Sequence, residues 1–124
     1  KDVLIIADPE QLRRVINNII SNSIKYLDKE QGFINIRIRD VGDFIQIEFE
    51  DNGKGIPAKD LPYIFDRFYR ADASRNSSTG GSGIGLSIVK KIIEDHGGKI
   101  WVNSKEGTGT IMYFVIRKYQ EVIS

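Results

Sequence analysis

The sequence predicts an α+β fold: a two-layer α/β sandwich with a mixed sheet of about five strands and three helices on one face. Three observations carry this. Residues 33–39 and 43–50 alternate apolar and polar side chains with period two around Val41-Gly42, as an antiparallel hairpin does. Two other stretches repeat apolar residues at spacings of three and four. Hairpin and helical stretches fall in separate runs rather than in strand-helix-strand units.

The first helix opens at Asp8-Pro9-Glu10-Gln11, with Asp8 as N-cap, Pro9 at the first helical position and Gln11 as the capping-box partner three residues after the cap. It runs to about Tyr26, and Leu12, Val15, Ile16, Ile19, Ile20 and Leu27 form its core-facing stripe. FINIRIR (33–39) and DFIQIEFE (43–50) form the hairpin, with one sheet face buried. DLPYIFDRFYR (60–70) reads as a short helix, and ADASRNSSTGGSG (71–83) as a mobile loop. Ile84 to His96 regains helical spacing through Leu86, Ile88, Val89, Ile92 and Ile93, and Gly97-Gly98 supplies a left-handed stop. KIWVNS (99–104) and TIMYFVIRK (110–118) are the last strands. His96, the only histidine, is expected to be structural, a cation beside a helix C-terminus.

The chain has 124 residues, no cysteine, and 18 Lys+Arg against 17 Asp+Glu for a net charge of +1. A chain of this size buries roughly two-thirds of the surface its unfolded form exposes. Disulfides and thiolate metal sites are excluded, and the lack of a basic block argues against nucleic acid as partner. No apolar run approaches the roughly 20 residues of a membrane-spanning helix. The expectation is one cytoplasmic domain over 1–124, and the opening at Lys1 on a strand-like VLII reads as a piece cut from a longer polypeptide.

Three polar motifs ask for more than a scaffold. Within VINNIISNSIKY (15–26), Asn18, Asn22, Lys25 and Tyr26 fall within about 100° of one another on the rim of the apolar stripe. Asparagine is a mediocre helix former, so this is either a solvated face or a rim of amide oxygens suited to Mg²⁺ with a lysine for phosphate. DNGKGIP (51–57) ends a strand in an acid followed by bare backbone; it is either a plain Asn-Gly turn or a surface that a ligand approaches closely. GGSGIGLSIVK (80–90) places Gly81, Gly83 and Gly85 before a helix, as a flexible hinge or an anion site. GTGT (107–110) is by itself a hairpin turn. No P-loop is present, and the loose match of Gly53-x-Gly55-x-x-Ala58 to a dinucleotide fingerprint lacks the repeated strand-helix-strand units it needs.

In order, NNIISNSIKY, DNGKGIP, IFDRFYR, GGSGIGLSIVK and GTGT closely resemble the N, G1, F, G2 and G3 boxes of sensor histidine kinases, over nearly the whole chain. The resemblance implies their catalytic ATP-binding domain, with the Bergerat fold shared with gyrase-type ATPases, mismatch-repair ATPases and the large heat-shock chaperones. It implies that Asp51 accepts a hydrogen bond from the adenine amino group, that Gly53 and Gly55 let the base approach the backbone, with an ordered water at Gly55, and that Tyr26 and Thr110 lie near the base. Ile56, Gly81, Gly83, Gly85 and Leu86 complete the implied nucleotide-binding set. Asn22 is the implied Mg²⁺ ligand and Asn18 supports the metal's water shell. Lys25 meets the phosphates, and Arg70 reaches the terminal phosphate. Phe65 and Phe68 would anchor an ATP lid over about 71–82, although Phe65 reads equally as an ordinary core aromatic.

Hydrolysing relatives carry a glutamate base where this chain has Asn18, and an amide cannot take a proton from water. The resemblance therefore implies transfer of the γ-phosphoryl to a histidine on a separate dimerisation domain outside this chain. It also implies a response regulator downstream, a homodimeric parent that is a membrane-anchored bacterial sensor, and a monomeric fragment that does little chemistry alone. Two alternatives share the fold: a serine kinase of the anti-sigma-factor type, and a binding module whose lid nucleotide orders.

Overall fold

The computed structural model describes residues 5, 7–25, 27–28, 30–66 and 85–118. Helix α1 spans Pro9–Lys25, strands β1 and β2 span Ile34–Asp40 and Phe44–Asp51, helix α2 spans Gly85–Asp95, and strands β3 and β4 span Lys99–Lys105 and Gly109–Arg117. Both helices cover one face of a four-stranded sheet of order β1-β2-β4-β3, every pairing antiparallel. The α+β sandwich stands. The expected mixed sheet of five strands with three helices is corrected to this smaller set among the described residues.

Each difference has a local cause. In the VLII stretch only Ile5 is seen to pair, as a single bridge to Lys118, and residues 1–4 and 6 lie outside the described residues. Of the expected helix at 60–70, the described part forms a 3₁₀ turn, Leu61–Tyr63, and residues 67–70 lie outside the described residues. Pro62 has no N–H to donate, and the bonds Asp60 N–H to Pro57 O, Leu61 N–H to Ala58 O, Tyr63 N–H to Asp60 O and Asp66 N–H to Tyr63 O all span three residues.

Asp8 caps α1 as expected, its Oδ1 accepting from the N–H groups of Glu10 (2.9 Å) and Gln11 (3.4 Å). The reciprocal half of the capping box is not made: Gln11 Oε1 is buried without a partner among the described residues. The Asp8 N–H donates instead to His96 Nε2 (3.1 Å). Because Nε2 accepts while Nδ1 lies 2.8 Å from the Ile92 carbonyl, the ring is fixed as the neutral Nδ1–H tautomer. His96 is structural, but it acts as a neutral strap between two helix ends and not as the expected cation.

The core lies between the layers. Val15 and Ile19 of α1 and Val89, Ile92 and Ile93 of α2 close over Phe49, Ile100, Met112, Phe114 and Ile116, and Phe49 stacks on Phe114 at 6.1 Å. Phe65 packs against this cluster, which supports its reading as a core aromatic; Phe68 lies outside the described residues. Burial of the inner face stops at β1, where Ile36 and Ile38 are 51% and 70% exposed. The helices lie over the other strands, α1 against β2 and α2 against β3 and β4, so the edge strand is left uncovered.

The far face is held by cross-strand charge pairs. Glu48, 4% exposed, accepts from Arg37 Nε (2.9 Å), Arg39 Nε (2.8 Å) and Gln46 Nε2 (2.7 Å). Burial pushes its carboxyl up, but the bonds from Arg37, Gln46 and Arg39 outweigh burial and hold it below the usual glutamate value. A lowered value means that this contribution to stability is present at neutral pH and is lost as pH falls through it. Among the described residues no helix is long and apolar enough to cross a membrane.

Candidate functional site

The topology gives the sandwich two distinct ends. At one lie the start of α1 and the end of α2, joined by Asp8 and His96, together with the end of β4, where the Lys118 N–H donates to Asp43 O just before β2. The helices pack side by side and therefore run antiparallel. The end of α1, the start of α2, the end of β2 and the start of β4 consequently gather at the opposite end. These four places carry Asn22 and Lys25, Gly85 and Leu86, Asp51, and Thr110.

Asp51 is the last residue of β2 and lies directly opposite Thr110 of β4. Both are nearly buried, 6% and 9% exposed. The Gly53 N–H donates to Asp51 Oδ1 at 2.9 Å, so the turn after the strand orients the carboxylate. Among the described residues no cation pairs with it. A buried carboxylate with one neutral donor is short of partners, and its second oxygen is an acceptor with capacity to spare. Asn52 makes no hairpin, since the strands beside β2 are β1 and β4. Its Oδ1 accepts from the Phe33 N–H (2.8 Å) and its Nδ2 donates to Gln31 O (3.1 Å), which fastens the turn to the approach to β1.

The glycines are bare because two backbones meet. A Cβ on Gly55, whose φ is +75°, would collide with the Lys105 carbonyl, and one on Gly109, whose φ is +146°, with the Asp51 carbonyl. The Gly107 N–H donates to Lys54 O at 2.7 Å, and the Ile56 N–H donates to Ser104 Oγ at 2.8 Å. GTGT is thus the β3–β4 hairpin turn and, in addition, the bed on which residues 53–56 rest. Ile56 is buried beside it.

On α1, Asn18 and Asn22 are half-buried and Lys25 is exposed, so the polar rim lies between core and solvent as its periodicity requires. Gly85 and Leu86 open α2 half-buried, and among the described residues a Cβ at Gly85 would meet nothing. Tyr26, Arg70, Gly81, Gly83 and the 71–82 segment lie outside the described residues.

Two contributors escaped the reading of the sequence. Gly109 was covered only by the weak GTGT turn. Ser104 carried a signal that went unused: it follows Ile100 and Val102 on the inner face of β3, a hydroxyl where the alternation asks for an apolar residue.

The antiparallel sandwich, with an acid at the end of an inner strand and glycine turns around it, defines the class: the ATP-binding sandwich that the motif order resembles. Residues 7–120 match the family described as histidine kinase-, DNA gyrase B- and HSP90-like ATPase, and the chain belongs to that family. It is 39% identical over 123 residues to sensor histidine kinase WalK of Bacillus subtilis (strain 168), which covers 98% of this chain and 20% of that protein. The catalytic domain of histidine kinase ThkA superposes with a TM-score of 0.75 at 35% identity, covering 90% of this chain and 70% of that one. Full-length ShkA in complex with AMPPNP gives a TM-score of 0.77 at 25% identity, over 94% of this chain and 24% of that one. The chain therefore spans about a fifth of the length of the WalK protein it matches.

Proposed function

We propose that this chain is the catalytic ATP-binding part of a sensor histidine kinase, which binds Mg²⁺-ATP and passes the γ-phosphoryl to a histidine on a separate dimerisation domain. The observation that carries the reading is Asp51: a nearly buried carboxylate at a strand end, one oxygen held by the Gly53 N–H and, among the described residues, no cation paired with it. The adenine amino group supplies the missing donor. A carboxylate accepts only, so it opposes a purine with a carbonyl at that position. The complex of the structural relative ShkA with AMPPNP agrees with a nucleotide as the ligand.

The remaining roles are those that the motif resemblance implies. Gly53, Gly55 and Ile56 form the floor under the base, with Tyr26 and Thr110 around it. Asn22 would offer a neutral hard oxygen to Mg²⁺, Asn18 would support its water shell, and Lys25 would meet phosphate oxygens from one turn further on. The metal, when bound, neutralises the phosphates. Among the described residues no cluster of three or more His, Cys, Asp or Glu is present; Asn22 would hold the ion through a single neutral oxygen. Gly85 and Leu86 present backbone N–H groups at the start of α2, and Gly81 and Gly83 of the same motif would complete that phosphate-binding set. Residues 71–82 form the ATP lid, and Arg70 spreads charge on the terminal phosphate in flight. An imidazole nitrogen of the partner domain forms the new bond to phosphorus, the bond to the bridging oxygen breaks, and ADP leaves. Asn18 cannot deprotonate water, so hydrolysis stays slow. In the parent, a membrane-anchored homodimer, a response regulator then takes the phosphoryl group.

Replacing Asn22 with alanine is expected to remove the Mg²⁺ dependence of ATP binding and to leave adenine recognition in place. Affinities for ADP and ATP, each with Mg²⁺ and with EDTA, separate the two effects. A mutant that keeps the wild-type gain from Mg²⁺ places the ligand elsewhere.

A further inference from the structure

Ser104 Oγ lies within hydrogen-bond distance of three groups: the Ile56 N–H (2.8 Å), the Gly109 carbonyl (3.0 Å) and Thr110 Oγ1 (2.8 Å). A serine hydroxyl has one proton. An amide N–H can only donate and a carbonyl can only accept, so Ser104 accepts from Ile56 and gives its proton to Gly109. The third contact is then attractive only if Thr110 donates to Ser104. Were the Ser104 proton turned to Thr110, two acceptors would face each other at 3.0 Å. The Thr110 hydroxyl is thereby committed, and its remaining lone pairs make it an acceptor toward anything beside it.

Thr110 is the direct cross-strand neighbour of Asp51 on the inner face, and such pairs have Cβ atoms about 5 Å apart. We infer that Ser104 is a specificity-positioning residue: by taking the Thr110 proton it turns the Asp51–Thr110 pair into two acceptors, which select a purine carrying an exocyclic amino group at position 6 over one carrying a carbonyl. The inference rests on the adenine reading above. A free threonine hydroxyl could rotate and donate to a 6-carbonyl, offsetting part of the repulsion from Asp51; with Ser104 in place that rotation is closed. Ser104 thus acts through Thr110 without touching the base.

The test is the ratio of affinities for ADP and IDP, which differ at this edge of the base, measured by calorimetry on the wild-type chain, Ser104→Ala, Thr110→Val and the double variant. The expected result is a roughly tenfold fall in the ratio for Ser104→Ala, about 1.4 kcal/mol, a similar fall for Thr110→Val, and no further fall in the double variant. Thr110→Val leaves the Ser104 bonds to Ile56 and Gly109 in place, so it carries the test even if Ser104→Ala folds poorly. Ser104→Thr keeps a hydroxyl and should restore the ratio. A merely structural role for Ser104 would weaken ADP and IDP in proportion; an unchanged ratio in Ser104→Ala, or falls that add in the double variant, overturns the inference alone. A wild-type chain that binds ADP and IDP equally, with Asp51→Asn altering neither, overturns the adenine reading beneath it.

Discussion

Asp51→Asn is expected to weaken binding of an ATP analogue about 30- to 150-fold, roughly 2 to 3 kcal/mol, while leaving the domain folded. The geometry says which way the amide turns. The Gly53 N–H needs an acceptor at the Oδ1 position, and the asparagine carbonyl supplies one, so the turn survives. The amide –NH₂ is then left at the other position, donor against the adenine amino donor, and the charge-assisted bond is lost as well. Calorimetry with the analogue, alongside thermal unfolding of the same sample, reads the two quantities apart. Unchanged affinity would remove adenine from Asp51.

Gly109→Ala should be the most damaging change to the folded site among its glycines. At a φ of +146° an L side chain is strained, and the new Cβ would stand against the Asp51 carbonyl and 3.0 Å from Asn52 Cα. The Asp51 carbonyl belongs to strand backbone paired across β2–β4, Asn52 Cα is the backbone that follows it, and neither can swing aside as a side-chain tip does. Strain of about 1–2 kcal/mol and a forced backbone shift of about 1–3 kcal/mol together predict a loss of roughly 2–5 kcal/mol in urea unfolding. Nucleotide affinity should fall too, because the displaced atoms are those of Asp51 itself. Gly107→Ala is the internal control: φ there is +83° but a Cβ meets nothing within 4 Å, so only the strain of about 1–2 kcal/mol is expected. Equal losses for the two variants would show that the close approach at Gly109 is relaxed at little cost.

Which parts of the architecture could be read from the chain follows from how local their causes are. Helix α1 and the β1–β2 hairpin were legible because a proline-led cap, a 3.6-residue stripe and strict alternation are each written in consecutive residues. The motif order pointed to Asp51, Asn22 and Thr110, and the topology gathers their elements at one end of the sandwich. The described part of segment 60–70, residues 60–66, misled because its apolar spacing resembles a helix, while Pro57 and Pro62 favour three-residue turns that spacing does not reveal. Ile36 and Ile38 sit in a clean alternation, yet exposure at an edge strand depends on where the helices come to rest. His96, Ser104 and Gly109 were missed or misjudged because their partners Asp8, Ile56 and Asp51 stand 88, 48 and 58 residues away in sequence, across contacts that only folding creates.

The most direct test is of phosphoryl transfer itself. The purified chain would be incubated with γ-labelled ATP and Mg²⁺, alone and with the dimerisation helices of its parent added in trans, and protein-bound label assayed for stability in acid. The chain alone should bind ATP, carry no label and release little phosphate. With the helices added, acid-labile phosphohistidine should appear on them, and Arg70→Ala should slow that step more than it weakens ATP binding. Robust phosphate release from the chain alone, label on His96, or acid-stable label on the added protein would contradict the account.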